Sequence, residues 1–512
     1  MSNRTSTLAE LNALAERGGG NERVQRHREA GRMVARERIQ ALLDPGSFVE
    51  LDKLMTHDSS AFGMDEKRHP GDGVVTGYGT VEGRQLFVYA QDFTVVGGTI
   101  SKAHGEKICK VMDLAKQVGA PIVALLDSAG ARIQEGIGAL AGYGDVLFRN
   151  MQASGVVPQI ACVMGPCVGG AACSVGVADV VFMVEGQGSL FMAGPEVVQA
   201  VTNQSITKDR LGGARIHAEN SGIAHVLAVD DATCIERVRE LLTYLPSNYA
   251  EDSPRYEGEA NGSSTGLALI VPESASRTYD VKDAIRAVVD PDSMFELHES
   301  YAKNVVTSLA RIGGKVIGVV ANQPNQLAGC LDIHGSQKAA RFIRFCDCFN
   351  IPLLTLVDAP GFLPGAEQEH AGLVHHAAKL MYAFAEATVP KVTLILRKAY
   401  GAAYVMMASK HIKGDVIYAL PTAEIAVMQP ETATSVVYKS ELAKAPTDAA
   451  LKKKLAATYR EEYATPFKAA ERGFVDEVIT PEMARSRIAR AFDMLRDKRV
   501  TSPARKHGNI PL

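Results

Sequence analysis

Two stretches of this sequence, 246 positions apart, repeat one another: ERIQALLDPGSFVELD (37–52) and DAIRAVVDPDSMFELH (283–298) share Ile39/Ile285, Ala41/Ala287, Asp44/Asp290, Pro45/Pro291, Ser47/Ser293, Glu50/Glu296 and Leu51/Leu297. Gly83, Ala90, Gly98, Pro121, Asp127 and Gly130 recur 231 positions later as Gly314, Ala321, Gly329, Pro352, Asp358 and Gly361. An offset of 232 then carries Gly169-Gly170-Ala171 onto Gly401-Ala402-Ala403, and 235 carries Gly194-Pro195-Glu196 onto Gln429-Pro430-Glu431. The offsets drift only by loop-sized amounts, and units this long lie far outside solenoid periods. The chain therefore folds as two domains of one kind, each with a glycine/alanine turn at the equivalent place. Chemistry made from paired backbone turns becomes the leading idea.

Within each half, short apolar runs alternate with helical patterns. QLFVYAQDF, APIVALLDSAG, VPQIACVMG and ADVVFMVEG read as buried strands, each followed by a glycine-marked turn and a helix-like stretch such as SKAHGEKICKVMDLAKQVG. KVIGVVANQ, IPLLTLVDAPG, KVTLILRKAYG and GDVIYALPTA repeat the series, which predicts an α/β layered architecture. The Ser/Pro/Gly/Glu-rich run 251–280 is the expected linker, with the boundary near 255–275. The expected divisions are an N-terminal amphipathic helical arm (1–30), a first domain (31–260) and a second (270–512).

Composition excludes more than it names. Across 512 residues, 55 basic against 58 acidic side chains leave a net charge of −3, which gives no reason to expect nucleic acid or an anionic membrane as partner. No 18-residue apolar run suggests a membrane span, and the charged, mixed-sign start lacks a signal-peptide core, so a cytoplasmic location is expected. Eight cysteines contain no CxxC pair, and no metal site is expected in this chain.

DSAGARIQEG (127–136), GPCVGGAACS (165–174), LDIHGSQKAARFIRFCDCFNIPLLTLVDAPGFLPG (331–365) and RKAYGAAYVMMASK (397–410) resemble the carboxyltransferase β subunits of biotin-dependent acyl-CoA carboxylases, of the propionyl-CoA carboxylase and methylmalonyl-CoA transcarboxylase type. The similarity runs from about Gly31 to the carboxy terminus. It implies two tandem crotonase-like domains and a homohexameric ring in which the first domain of one subunit faces the second domain of another. The implied reaction is carboxyl transfer from carboxybiotin to C2 of an acyl-CoA, giving methylmalonyl-CoA or a longer alkylmalonyl-CoA for polyketide or lipid synthesis.

Such a reaction develops two oxyanions, one on the thioester enolate and one on the ureido oxygen of biotin. Each needs donors positioned in advance, and N–H groups at a helix start supply them. The resemblance implies that the N–H groups of Gly169 and Gly170 hold the enolate and those of Ala402 and Ala403 the biotin carbonyl. It assigns CoA to Ala129, Gly130, Ala131, Arg132 and Ile133, and biotin to the loop around Pro360, Gly361, Phe362 and Pro364. Arg132 has a rival role as a structural ion pair at a helix start. Glu135, Glu196 and Glu431 read more simply as solvated or capping carboxylates than as acid/base groups.

Four departures from the family pattern bear on substrate and competence. Val405, with its neighbour Tyr404, stands at the acyl-selectivity position, where Asp is common, and Cys173 replaces a usual tyrosine. Both changes enlarge an apolar pocket and favour a longer or branched acyl chain. Ala402 replaces a glycine, and Met428-Gln429-Pro430-Glu431 replaces a glycine-rich loop. The sequence contains neither a biotin-attachment Ala-Met-Lys-Met nor a phosphate-binding GxxxxGK[ST] loop, so biotin is expected on a separate biotin carboxylase/carrier subunit. A transcarboxylase or methylmalonyl-CoA decarboxylase subunit is the alternative enzyme, and a catalytically silent ring scaffold the non-enzyme alternative.

Overall fold

The computed structural model describes residues 3–259, 262, 264, 266–274 and 277–511. It comprises two compact units, Met1–Asp252 and Ser253–Leu512. The first unit opens with helices Asn3–Glu16 and Asn21–Glu29, separated where Gly18 and Gly20 take positive φ. Its eight strands are β1 Val49–Leu51, β2 Val74–Val81, β3 Arg84–Gln91, β4 Ile122–Ser128, β5 Gln159–Val168, β6 Val180–Val184, β7 Ser189–Phe191 and β8 Val226–Ala228. The second unit holds β9 Phe295–Leu297, β10 Val305–Ile312, β11 Lys315–Asn322, β12 Leu353–Ala359, β13 Lys391–Tyr400, β14 Val416–Ala419, β15 Glu424–Ala426 and β16 Glu477–Val478.

The two sheets have one topology. The order β1-β2-β3-β4-β5-β6-β8, with β7 on β5, is matched by β9-β10-β11-β12-β13-β14-β16, with β15 on β13. In both, the first three strands are antiparallel and the rest parallel. The central strands β4 and β12 are buried along their whole length, as expected of parallel strands covered on both faces. Helices Lys102–Val118 and Ile137–Ala153 cover β4's sheet, and Ile333–Cys348 and Leu373–Glu386 their counterparts. The strand and helix runs read from the sequence thus fall where expected.

Duplication extends to individual polar bonds. Asp44 accepts from the N–H groups of Glu82 and Gly83 in the β2–β3 turn, and Arg239 joins it; Asp290 accepts from Gly313 and Gly314 in the β10–β11 turn, joined by Arg485. The Gly83 bond leads in holding the Asp44 carboxyl down at about 2. Two buried ammonium groups tie loops to the helices behind the sheets: Lys107 donates to the carbonyls of Gly71 and Val74, and Lys338 to those of His298 and Tyr301.

One duplicated feature is conserved in effect but not in residue. Asp127 and Asp358, at the carboxyl ends of β4 and β12, are both fully buried and both paired with an arginine. In the first unit the cation is Arg38, from helix Ala35–Leu42; it also reaches Asp231 at 2.8 Å and the Met164 carbonyl. In the second it is Arg397, from β13, which also donates to the carbonyls of Ser274 and Arg277. The counterpart of Arg397 is Gly165, where a Cβ would lie 2.0 Å from Asp127 Oδ1; the counterpart of Arg38 is Ala284. A buried carboxylate requires a cation, and the two halves supply it from different elements, a helix in one and a strand in the other.

Candidate functional site

Each sheet ends its longest strand in a glycine turn. β5 passes through Gly169 (φ +67°) into helix Gly170–Val177, and β13 through Gly401 (φ +58°) into Gly401–Met406. These left-handed corners are open to glycine and strained for other residues, and a Cβ on Gly401 would also meet the Val427 carbonyl at 2.9 Å. The first N–H groups of a helix lack intrahelical acceptors. Those of Gly170, Ala402 and Ala403 have no recorded acceptor among the described residues. Gly169 corrects the sequence expectation: its N–H is donated to the Phe191 carbonyl on β7 at 3.0 Å, so it is not free to hold an oxyanion. The alignment of the halves agrees, since Ala402-Ala403 correspond to Gly170-Ala171.

Ala402 is not among the positive-φ residues, so it fits a position where only Gly401 must be glycine. Pro430 stands at the first position of helix Pro430–Val437, where a missing N–H costs nothing. Both departures that motivated a silent scaffold are therefore compatible with an intact turn.

The loops expected to hold CoA and biotin are counterparts. Ile100 bridges to Ala131, taking the Gly130 carbonyl and giving its own to Arg132; Leu331 bridges to Phe362, taking the Gly361 carbonyl and giving its own to Leu363. Ala129 is exposed, Gly130 buried and Ala131 half-buried, while the Ile133 side chain is 86% exposed. Pro360, Gly361 and Phe362 are half-buried and Pro364 exposed, forming an accessible rim. Arg132 is a second correction. It is fully buried, donating to Asp72 Oδ1 at 2.5 Å, to Glu135 and to the Thr99 carbonyl, so the structural ion pair claims its guanidinium. Glu135 in turn caps the Lys102–Val118 helix through the Lys102 N–H.

Cys173 and Val405 are also counterparts, each one turn beyond its glycine corner and half-buried. Cys173 Sγ lies 3.8 Å from the sulfur of Met192, an exposed side chain. Tyr404, expected beside substrate, instead points into its own unit: it is 5% exposed and edge-on to His411, and burial pushes its phenol up to about 12.

A basic cleft was missed. Arg23, Arg26, His27 and Arg32 line a cleft of about 460 Å³ whose far wall is Phe93, Thr94, Val96 and Gly97. Val96, Gly97 and Gly98 have φ of +48°, +65° and +60°, a strained run for a β-branched residue, and the N–H groups of Val96 and Gly97 have no recorded acceptor among the described residues. Successive N–H groups exposed in a turn make an anion-binding concavity. The second unit repeats the turn at Leu327, Ala328 and Gly329, with φ of +48°, +54° and +83°. Burial, then the charges of Arg38 and Arg32, lower the His27 pKa, which keeps its ring neutral. The cluster of arginines in NERVQRHREAGR was the available signal.

Comparison with known proteins matches the carboxyl transferase domain to residues 26–510. The chain is 50% identical over its whole length to the carboxyltransferase subunit of propionyl-CoA carboxylase from Haloferax mediterranei, of which it covers 100%. It is 49% identical to the α subunit of methylmalonyl-CoA decarboxylase from Propionigenium modestum, across 97% of this chain and 96% of that one. Among solved structures, the transcarboxylase 12S hexamer with hydrolysed methylmalonyl-CoA bound superimposes with a TM-score of 0.97 at 45% identity, covering 100% of this chain and 99% of that one.

Proposed function

The chain belongs to the carboxyl transferase domain family, and on that premise we propose that it carries a carboxyl group between biotin and C2 of an acyl-CoA. The observation that carries this reading is the glycine corner built twice, each corner opening a helix, with the N–H groups of Gly170, Ala402 and Ala403 lacking a recorded acceptor among the described residues. Carboxybiotin, attached to a separate subunit, supplies the carboxyl group.

In the first unit, the Gly170 N–H receives the thioester oxygen, with the Val96 and Gly97 N–H groups as further donors. Donors aimed at an enolate oxygen favour the charge as C2 loses its proton, each contributing about 3 kcal/mol to the transition state. Arg23, Arg26 and Arg32 face the phosphates of CoA, and exposed Ile133 and Ala129 offer it an apolar edge. In the second unit, Ala402 and Ala403 present N–H groups to the ureido oxygen, while Pro360, Gly361, Phe362 and Pro364 hold the ring system. Cys173 and Val405 flank the acyl chain, and Val405 in place of a carboxylate favours chains longer than propionyl, at about 0.8 kcal/mol per buried methylene. Supply of alkylmalonyl units for polyketide or lipid synthesis follows from that preference. A homohexamer joining first and second units of different subunits is the assembly we propose, by analogy with the 12S hexamer.

A decarboxylase or transcarboxylase role uses the same residues, and the near-equal identity to a carboxylase and a decarboxylase subunit keeps that second reading in view. The test is incubation of the purified chain with free biocytin and malonyl-, methylmalonyl-, butylmalonyl- and branched alkylmalonyl-CoA, followed by mass spectrometry. Biocytin-dependent decarboxylation, fastest with the longer thioesters, is expected. Biocytin-independent loss, or none from a folded oligomer, would overturn the reading.

A further inference from the structure

The second glycine corner is anchored by a network of charged side chains, whereas at the first the Tyr143 hydroxyl donates to the Val168 carbonyl at 3.5 Å. Tyr400, the last residue of β13 and the neighbour of Gly401, is 4% exposed, and its hydroxyl donates to Glu424 Oε2 at 2.5 Å. Glu424 opens β15, which lies parallel to β13 with Tyr400 opposite Ala426. The other oxygen of Glu424 accepts from Arg460 Nε at 3.0 Å, and a second nitrogen of Arg460 donates to Glu431 Oε1 at 2.7 Å. Arg460 belongs to helix Ala449–Tyr463 and Glu431 to the first turn of helix Pro430–Val437. Two helices and a strand thus converge on one phenol beside the turn.

In the first unit the counterpart of Tyr400 is Val168, which has no side-chain donor, and that of Glu424 is Ser189. Burial, followed by the Glu424 bond, pushes the Tyr400 phenol far above its ordinary value, so the hydroxyl remains a donor across the working pH range. Glu424 is mostly buried, with 17% of its side chain exposed, whereas Arg460 and Glu431 are more open, at 36% and 64%. The inner bond is therefore the strong one and the outer pair a weaker brace.

We propose that Glu424 and Arg460 are positioning residues: through Tyr400 they fix the angle at which Gly401–Ala403 leaves β13, and with it the aim of the Ala402 and Ala403 N–H groups. The inference rests on the reading that those groups receive the ureido oxygen of biotin. It assigns a specificity of effect that general stabilisation lacks, because only the biotin parameters respond.

Steady-state decarboxylation of methylmalonyl-CoA by the full chain, with biocytin and thioester varied separately, tests it. Tyr400→Phe removes one hydroxyl and Glu424→Gln one charge. Each is expected to lower kcat/KM for biocytin by about tenfold or more while KM for the thioester stays within about twofold. The double variant is expected to be no worse than the more severe single, since both break one linkage. Arg460→Lys is expected to recover part of the loss seen in Arg460→Met. Equal losses for both substrates, tracking a lowered melting temperature, would reduce the network to a structural brace and overturn the proposal. Unaltered biocytin kinetics in a Tyr400→Phe variant whose melting temperature shows it folded would overturn it alone. Absence of biocytin-dependent turnover in the unaltered protein would instead remove the carboxyl-transfer reading on which it stands.

Discussion

Arg38→Met removes the one guanidinium shared by two buried carboxylates, Asp127 at 3.0 Å and Asp231 at 2.8 Å. At an effective dielectric of about 20, each contact is worth about 5–6 kcal/mol of attraction before solvation is counted. Desolvation cancels most of that, and the measured cost of orphaning a buried charge is about 3–5 kcal/mol. For a unit of this size such a loss lowers the melting temperature by about 6–20 °C. The pH dependence gives the sharper signature. Burial raises the Asp127 pKa to about 6, with Arg38 and then Arg32 pulling against it. An acid whose folded pKa lies above its unfolded value loses stability as pH rises from the lower value to the higher. Without Arg38 the folded pKa rises further, so the variant goes on losing stability at pH values where the parent has levelled off. Scanning calorimetry should therefore show a gap in melting temperature that is wider at pH 8 than at pH 5. A gap independent of pH, or one below about 2 °C, would refute the argument that Arg38 exists to neutralise the carboxylates.

Three further outcomes are expected. Arg32→Ala should raise KM for the acyl-CoA by about tenfold, as loss of one charge-assisted phosphate contact does, with KM for biocytin unchanged and the effect shrinking at high salt. Gly401→Ala should forfeit about 1–2 kcal/mol of fold stability to the left-handed φ and cut biocytin-dependent turnover by about a hundredfold as the corner shifts off Val427, whereas Ala402→Gly should leave turnover within about threefold, both read in the same steady-state assay. Val405→Asp should shift the ratio of kcat/KM toward propionyl over valeryl thioesters in competition, by about tenfold for two methylenes.

The duplicated sheet was legible because its turns, strand ends and the Asp44/Asp290 pair keep identical residues at nearly constant offsets. What stayed hidden depends on contacts between distant segments. Arg132 was assigned to CoA with the family segment 129–133 it belongs to, with a structural ion pair as its rival role, and its partner Asp72 lies 60 residues away in sequence. Gly169 looked like a donor until β7 brought the Phe191 carbonyl to it. The cations of Asp127 and Asp358 come from a helix and a strand that do not align, so no repeat marks them. The cleft arginines were readable only as charge on an N-terminal arm, since nothing local indicates that helix Asn21–Glu29 faces the Val96–Gly97 turn.

The division of labour between the two corners is tested most directly by the N–H groups themselves. Hydrogen–deuterium exchange of the full chain, read on peptides spanning 165–175 and 398–406, should slow in the first segment with saturating acyl-CoA and in the second with saturating biocytin, each without the other. Protection of the 165–175 segment by biocytin, or failure of either ligand to slow its own segment while turnover persists, would contradict the assignment of one corner to the thioester and the other to biotin.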